Sequence, residues 1–220
     1  MKNNWWKFLA VAFVFYSIIG GLLFEVPVRA ILNETIRNLY FHVPMWFAMI
    51  IVFCMSVFYS VKYLRTGHEY DDLKAIEYAN VGVIFGCLGL ITGMLWAQFT
   101  WGEWWSNDPK QNSAAIAMLI YLAYLVLRNS IDEEQKRARI GAIYNIFAFP
   151  VMIVLLFVLP RMTDSLHPGN GGNPGFNSYD LDSRMRMVFY PACAGWIMLG
   201  LWIAQIRFRM RKLENDILHQ

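Results

Sequence analysis

Long apolar runs alternate with short polar breaks along the whole chain, and six of the runs are long enough to cross a bilayer as helices. Such a crossing takes about 20 mostly apolar residues. The runs are residues 5–24, 44–64, 80–99, 109–127, 141–159 and 187–208. The fourth is the most diluted, by Gln111 and Asn112, yet Asp108-Pro109 ahead of it is a strong helix opening, with Asp as N-cap and Pro in the first turn. Pro191 lies inside the sixth run and predicts a kink. The pattern predicts an all-α integral membrane protein with six transmembrane helices, in a single domain spanning residues 1–220. No internal repeat is visible. Lys2 and Lys7 precede the first run, but Phe24-Glu25-Val26-Pro27 follows it where a small-residue cleavage site would stand, so a retained first helix is expected.

Charge orients this bundle. Of the 19 Lys and Arg residues, thirteen fall at the N-terminus, in the second and fourth connections and at the C-terminus; six fall in the other connections, namely Arg29, Arg37, Lys110, Arg161, Arg184 and Arg186. Cytoplasmic loops carry the excess. Both termini are therefore expected to be cytoplasmic, with the first, third and fifth connections on the outer face. Only 16% of residues are charged and 57% are hydrophobic, which fits a membrane protein, and the net charge of +3 is too small and too dispersed to suggest nucleic acid. Cys54, Cys87 and Cys193 each lie in an apolar run, without CxxC spacing, and are expected to be buried and structural. The connections Lys62–Glu77 and Arg128–Arg139 read as solvated helical extensions, and His68 and His219 as exposed residues without a role.

The outer connections carry the candidate chemistry. Trp96, Trp101, Trp104 and Trp105 place four tryptophans within ten residues, between two apolar runs. Interfacial belts also attract tryptophan, a reading that suits Trp5, Trp6, Trp196 and Trp202. The loop cluster is denser than a belt requires, and were it helical, Trp101, Trp104 and Trp105 would share a face. Gly102 permits a turn or a close backbone approach. Such an apolar, polarisable surface suits a planar hydrophobic ligand. Two histidines share this face: His42 just before the second run and His167 just after the fifth. Imidazole binds iron, copper, zinc or nickel. Two nitrogens are too few for a closed zinc site but match a metal whose equatorial positions are already filled, as in haem. Lys110, Arg161, Arg184 and Arg186 could pair with ligand carboxylates or simply set topology, and helices two, four and six begin on this face with N–H groups that favour anions. The Pro168–Gly175 segment is rich in turn formers and is expected to be mobile.

These motifs carry a resemblance. Trp101-Gly-Glu-Trp-Trp-Ser-Asn-Asp108 resembles the tryptophan-rich WWD signature of the CcmC/CcmF/CcsA haem-handling family of cytochrome c maturation, and His42-Val-Pro44 and Leu166-His167-Pro168 look like its two flanking histidine contexts. The six-helix layout is similar to the CcmC type, haem exporter protein C. The family often has tryptophan immediately before the Asp; here it is Asn107, and the following Pro109-Lys110 looks more like the CcsA branch. The resemblance implies that His42 and His167 are axial ligands to the iron of haem b. It also implies that Trp96, Trp101, Gly102, Trp104, Trp105 and Asp108 form its platform, with Lys110, Arg161 and Arg184 near the propionates. It further implies a haem-delivering assembly protein without catalytic residues of its own, in the bacterial inner membrane. Its partners would be a periplasmic haem chaperone, the membrane and ATPase subunits of an ABC transporter, a small membrane subunit and membrane lipid. A CcsA-type haem lyase component and a membrane subunit without haem are the competing readings.

Overall fold

A computed structural model of the chain describes residues 4–28, 31–168, 176 and 180–218. Among the described residues all regular structure is helical. The six main helices are α1 (Trp5–Leu23), α2 (Leu39–Thr66), α3 (Glu69–Trp101), α4 (Pro109–Asn129), α5 (Glu134–Ile153) and α6 (Ser183–Leu218). Six helical spans are long and apolar enough to cross a membrane.

Several helices outrun their apolar cores. Charged turns added at the ends of α2, α3, α5 and α6 hydrogen-bond like any helix but are invisible to hydropathy. α2 begins at Leu39, so Pro44 sits inside the helix and not at its opening. His42 is therefore a helical residue in the first turns of α2. At the other end of α2, Gly67 adopts φ 67° as the left-handed stop before α3. α5 does not run straight to residue 159. Pro150, which has no N–H to donate, precedes a wide π turn at Val154–Val158 and a 3-10 turn at Leu159–Arg161.

The packing of α2 against α3 sets the frame. Four glycines, Gly82, Gly86, Gly89 and Gly93, form one stripe on α3. An added Cβ would lie 2.6 Å from Phe53 at Gly82, 3.0 Å from Met49 at Gly86, 2.8 Å from Trp46 at Gly89 and 2.7 Å from His42 at Gly93. Steps of four, three and four residues along α3 are mirrored by the same steps backwards along α2. Small residues let two helix backbones approach, and here they receive a row of large side chains from the antiparallel neighbour. At Gly86 the Met118 side chain of α4 lies nearer still than Met49. Phe53 stacks on Tyr121 of α4 with centroids 3.6 Å apart, filling the centre of the bundle.

Ion pairs tie the end that carries the chain termini. Arg128 makes a two-pronged pair with Asp72, both contacts 2.7 Å, and Arg207 of α6 meets the buried Glu77 at 2.6 Å. Asp71 meets Lys62 at 2.9 Å. Deeper in, Asn145 donates to Ser56 and Ser60 at 2.7 and 2.9 Å. One sequence expectation fails: Cys54 is exposed, while Cys87 and Cys193 are partly covered. An apolar run predicts burial only where water is the alternative; on a membrane helix half of an apolar run faces outward. His68 is exposed as expected, and His219 lies outside the described residues.

The glycine stripe predicts a stability order. Gly86→Val should lower the thermal midpoint of the detergent-solubilised protein, at a cost of about 1–3 kcal/mol for overpacking. Gly67→Ala, with open space around it, should cost only about 1 kcal/mol through its positive φ.

Candidate functional site

At the end of the bundle opposite the ion pairs, the last turns of α3 reach between two histidines. His42 projects from α2 onto α3. Its Nδ1 lies 3.1 Å from Thr92 Oγ1, and its ring meets Trp46 and Trp96 edge-on at centroid distances of 6.2 and 5.9 Å. One and a half turns further on, Trp101 meets the ring of His167 edge-on at 4.8 Å. α3 thus carries one tryptophan for each imidazole. The helix stops there because Gly102 takes φ 83°, the left-handed capping conformation.

The tryptophan loop is shorter than the sequence suggests, and it is not helical. Trp96 and Trp101 belong to α3, and only residues 102–108 connect α3 to α4. Trp101, Trp104 and Trp105 therefore do not share a helical face. Trp104 is 53% exposed, whereas Trp105 is partly buried and its Nε1 donates to Asn112 Oδ1 at 3.0 Å. The first turn of α4 staples the loop: Gln111 accepts from the amide and hydroxyl of Ser106, each at 3.0 Å, and Asn112 donates to the Asn107 carbonyl at 3.1 Å. Asn107 stands at φ 55°. Asn tolerates this left-handed conformation better than a bulky residue, which gives a local reason for Asn107 at the position before Asp108.

Asp108 is buried and does two jobs. Its carboxylate caps α4 by accepting from the Lys110 amide at 2.9 Å. It also gathers the segment after the 3-10 turn, accepting from Ser165 Oγ at 3.0 and 2.9 Å and from the Leu166 amide at 2.7 Å, and it lies 2.9 Å from His167 Nδ1. Burial raises the carboxyl's pKa. The bonds from His167, Leu166 and Lys110 outweigh it and hold the group well below the ordinary carboxylate range. The sequence marks Asp108 as a helix cap; its grip on His167 needs the fifth connection folded back onto α4.

His42 and His167 line one cavity of about 230 Å³, together with Trp46, Trp96, Trp105 and Lys110. Gly93, Phe157 and Arg161 also face it. The π turn and 3-10 turn of the fifth span supply one wall, a common place for such irregularities. Ligand pockets more often hold about 300–1,000 Å³, so a macrocycle seated here would keep an edge outside. Lys110 is anchored on the Pro168 carbonyl at 3.2 Å, and Arg161 is exposed with no hydrogen bond or ion pair among the described residues. Arg184 is elsewhere, an exposed pair with Glu25 at 3.4 Å. Arg186 is spent on the Leu181 and Phe176 carbonyls. Residues 169–175 lie outside the described residues.

The sequence does not single out Trp46, Thr92, Gly93 or Ser165; the first connection, where residues 33–41 read as a short interfacial helix, carries a 3-10 helix at Asn33–Asn38. That connection is pinned over the site: Asn38 donates to the Thr92 carbonyl at 2.8 Å, Trp96 Nε1 donates to Thr35 at 3.2 Å, and Arg37 holds the Gly21 carbonyl at 3.1 Å. The glycine spacing on α3 was the available signal for the first of these residues. Among the described residues no group of three or more His, Cys, Asp and Glu side chains could hold a bare metal ion.

The family model for "Heme exporter protein C" matches residues 2–220. The chain belongs to that family. Among its relatives, heme exporter protein C of Rhodobacter capsulatus is 28% identical over 214 residues, covering 96% of this chain and 88% of the relative. The Bradyrhizobium diazoefficiens member is 32% identical over 176 residues, covering 80% and 66%. A shorter segment of 79 residues is 42% identical to the cytochrome c biogenesis protein CcsA of Prochlorococcus marinus, covering 35% of this chain and 25% of that protein. In this family member, the motif Asp thus ties a helix start to a histidine.

Asp108→Ala should loosen residues 162–168, read as faster amide hydrogen exchange at Leu166 and His167, and should cost about 0.5–2 kcal/mol for the lost cap alone. Because the carboxyl's pKa is lowered by folding, its contribution is complete above the ordinary carboxylate range of about 4. In the wild type the exchange protection should stay flat from neutral pH down to about 5 and fall below it; in the Ala variant that pH dependence should vanish.

Proposed function

We propose that this chain binds haem in the cavity between His42 and His167 and presents it for cytochrome c maturation. The observation that carries the reading is the pair of imidazoles, from distant parts of the chain, on one tryptophan-lined cavity. The donor set suits haem. Two nitrogens cannot close a protein zinc site, but they match the two axial positions that a porphyrin leaves free. Trp96 and Trp105, which line the cavity, would pack against the macrocycle, Trp101 would brace His167, and Lys110 and Arg161 would neutralise the propionates. Haem b is the form expected, since the chain has no CxxCH for thioether attachment. Gly102 and Asp108 act from behind the site by ending α3 and holding His167. Trp104, exposed and not among the cavity's lining residues, suits the surface a partner would meet, and Arg184, paired with Glu25 and also outside the lining, is not a first choice for a propionate.

The excess of Lys and Arg at the termini and in the second and fourth connections supports a cavity facing the periplasm from the bacterial inner membrane. There a periplasmic haem chaperone could take the haem, with the ABC transporter subunits and the small membrane subunit alongside. On this reading the chain's residues bind, orient and release; none is asked to break a bond. The likeness to CcsA proteins supports a second reading, a haem lyase component acting directly on apocytochrome. Co-purification separates the two: a haem chaperone with ABC subunits favours the first, apocytochrome the second.

The test is a haem titration of purified protein followed by absorbance. His42→Ala or His167→Ala should weaken binding by more than the ~10–100-fold typical of losing an outer-shell partner, and the double variant should abolish the haem band. An unchanged band in the double variant would overturn the ligand assignment.

A further inference from the structure

The two imidazoles are held by different acceptors. Thr92 has one hydroxyl proton, and it is committed to its own helix: Oγ1 donates to the Leu88 carbonyl at 2.8 Å, with the Gly89 carbonyl at 3.1 Å. What Thr92 offers His42 at 3.1 Å is therefore a lone pair. With that assignment His42 Nδ1 carries the hydrogen, facing Thr92 Oγ1 with the Gly89 carbonyl also in reach of the ring, and Nε2 keeps its lone pair for a metal. Gly93 makes the arrangement possible, since any side chain there would start 2.7 Å from His42 Cε1. Trp46 and Trp96 bracket the ring. His167 reaches the same tautomer by another route, because the Asp108 carboxylate at 2.9 Å can only accept.

The acceptors differ in strength. A carboxylate makes a charge-assisted hydrogen bond, roughly twice as strong as a neutral one, and makes the imidazole behind it a better donor. A hydroxyl already donating to a helix carbonyl does neither to the same degree. We infer that Thr92 is a positioning residue that fixes the donor tautomer of His42, and that the neutral Thr92 acceptor makes His42 the weaker, exchangeable ligand while Asp108 makes His167 the persistent one. The inference rests on the haem reading above. It gives release an order: an incoming ligand displaces His42 first, and haem stays on His167.

The experiment uses the full chain reconstituted with haem in detergent, with carbon monoxide as the incoming ligand. It compares wild type, Thr92→Val, which keeps the shape without the acceptor, and Thr92→Ser, which keeps the hydroxyl. Low-spin fraction is read by absorbance, and carbon monoxide association is followed on the reduced protein. Thr92→Val should raise the high-spin fraction and speed association by about tenfold, the lower end of outer-shell effects, while Thr92→Ser behaves as wild type. Equal behaviour of all three, or equal damage in Val and Ser, would overturn the role of Thr92. A failure of the haem reading itself looks different: the wild type would show no six-coordinate low-spin spectrum at all.

Discussion

Everything at the site depends on how closely α2 and α3 approach. Helices in a membrane gain little from the hydrophobic effect against each other, so contact must come from fit. Here the fit is a row of α3 glycines opposite Phe53, Met49, Trp46 and His42. The last pair in the row, Gly93 and His42, lies at the proposed site. The packing that holds the bundle together also sets the depth and direction of His42, and the same face of α3 supplies Thr92 to bind its ring. The backbone of His42 is therefore fixed by the helix pair, while its ring is held only by Thr92 and the flanking tryptophans.

His167 is positioned by opposite means. It lies outside any helix and owes its place to one buried carboxylate. Asp108 ends a seven-residue loop, starts α4 and collects Ser165, Leu166 and His167. One histidine is held by packing and a neutral hydroxyl, the other by a charged hub on a connection. That contrast suits a protein whose proposed task is to hold a cargo and then let it go, since holding needs a firm side and release needs a yielding one.

Much of the fold was legible because the membrane imposes its own length on apolar runs. Six runs in the sequence correspond to the six spans, and Asp108-Pro109 marks the start of α4 to the residue. The ends were not legible where charged turns extend the helices, so His42 looked like a loop residue and Pro44 like a helix opening. The tryptophan cluster was visible as composition, but its division between α3 and a short loop was not. Gly102 sits where the division falls, yet a lone glycine does not announce a left-handed cap. Thr92 could not be found from sequence at all, because a threonine in an apolar helix is accounted for by bonding its own helix carbonyls, as Thr92 does. Only the antiparallel register brings this one to His42. Likewise Arg161 and Arg184 look alike as outer-face cations, and folding separates them: one faces the cavity, the other pairs with Glu25.

The most direct test of the central claim is the electron paramagnetic resonance spectrum of the wild-type chain with ferric haem, in detergent and without partners. Two imidazoles on one iron predict a low-spin signal with one haem per chain. A purely high-spin signal, or haem that washes away with the detergent, would contradict the account.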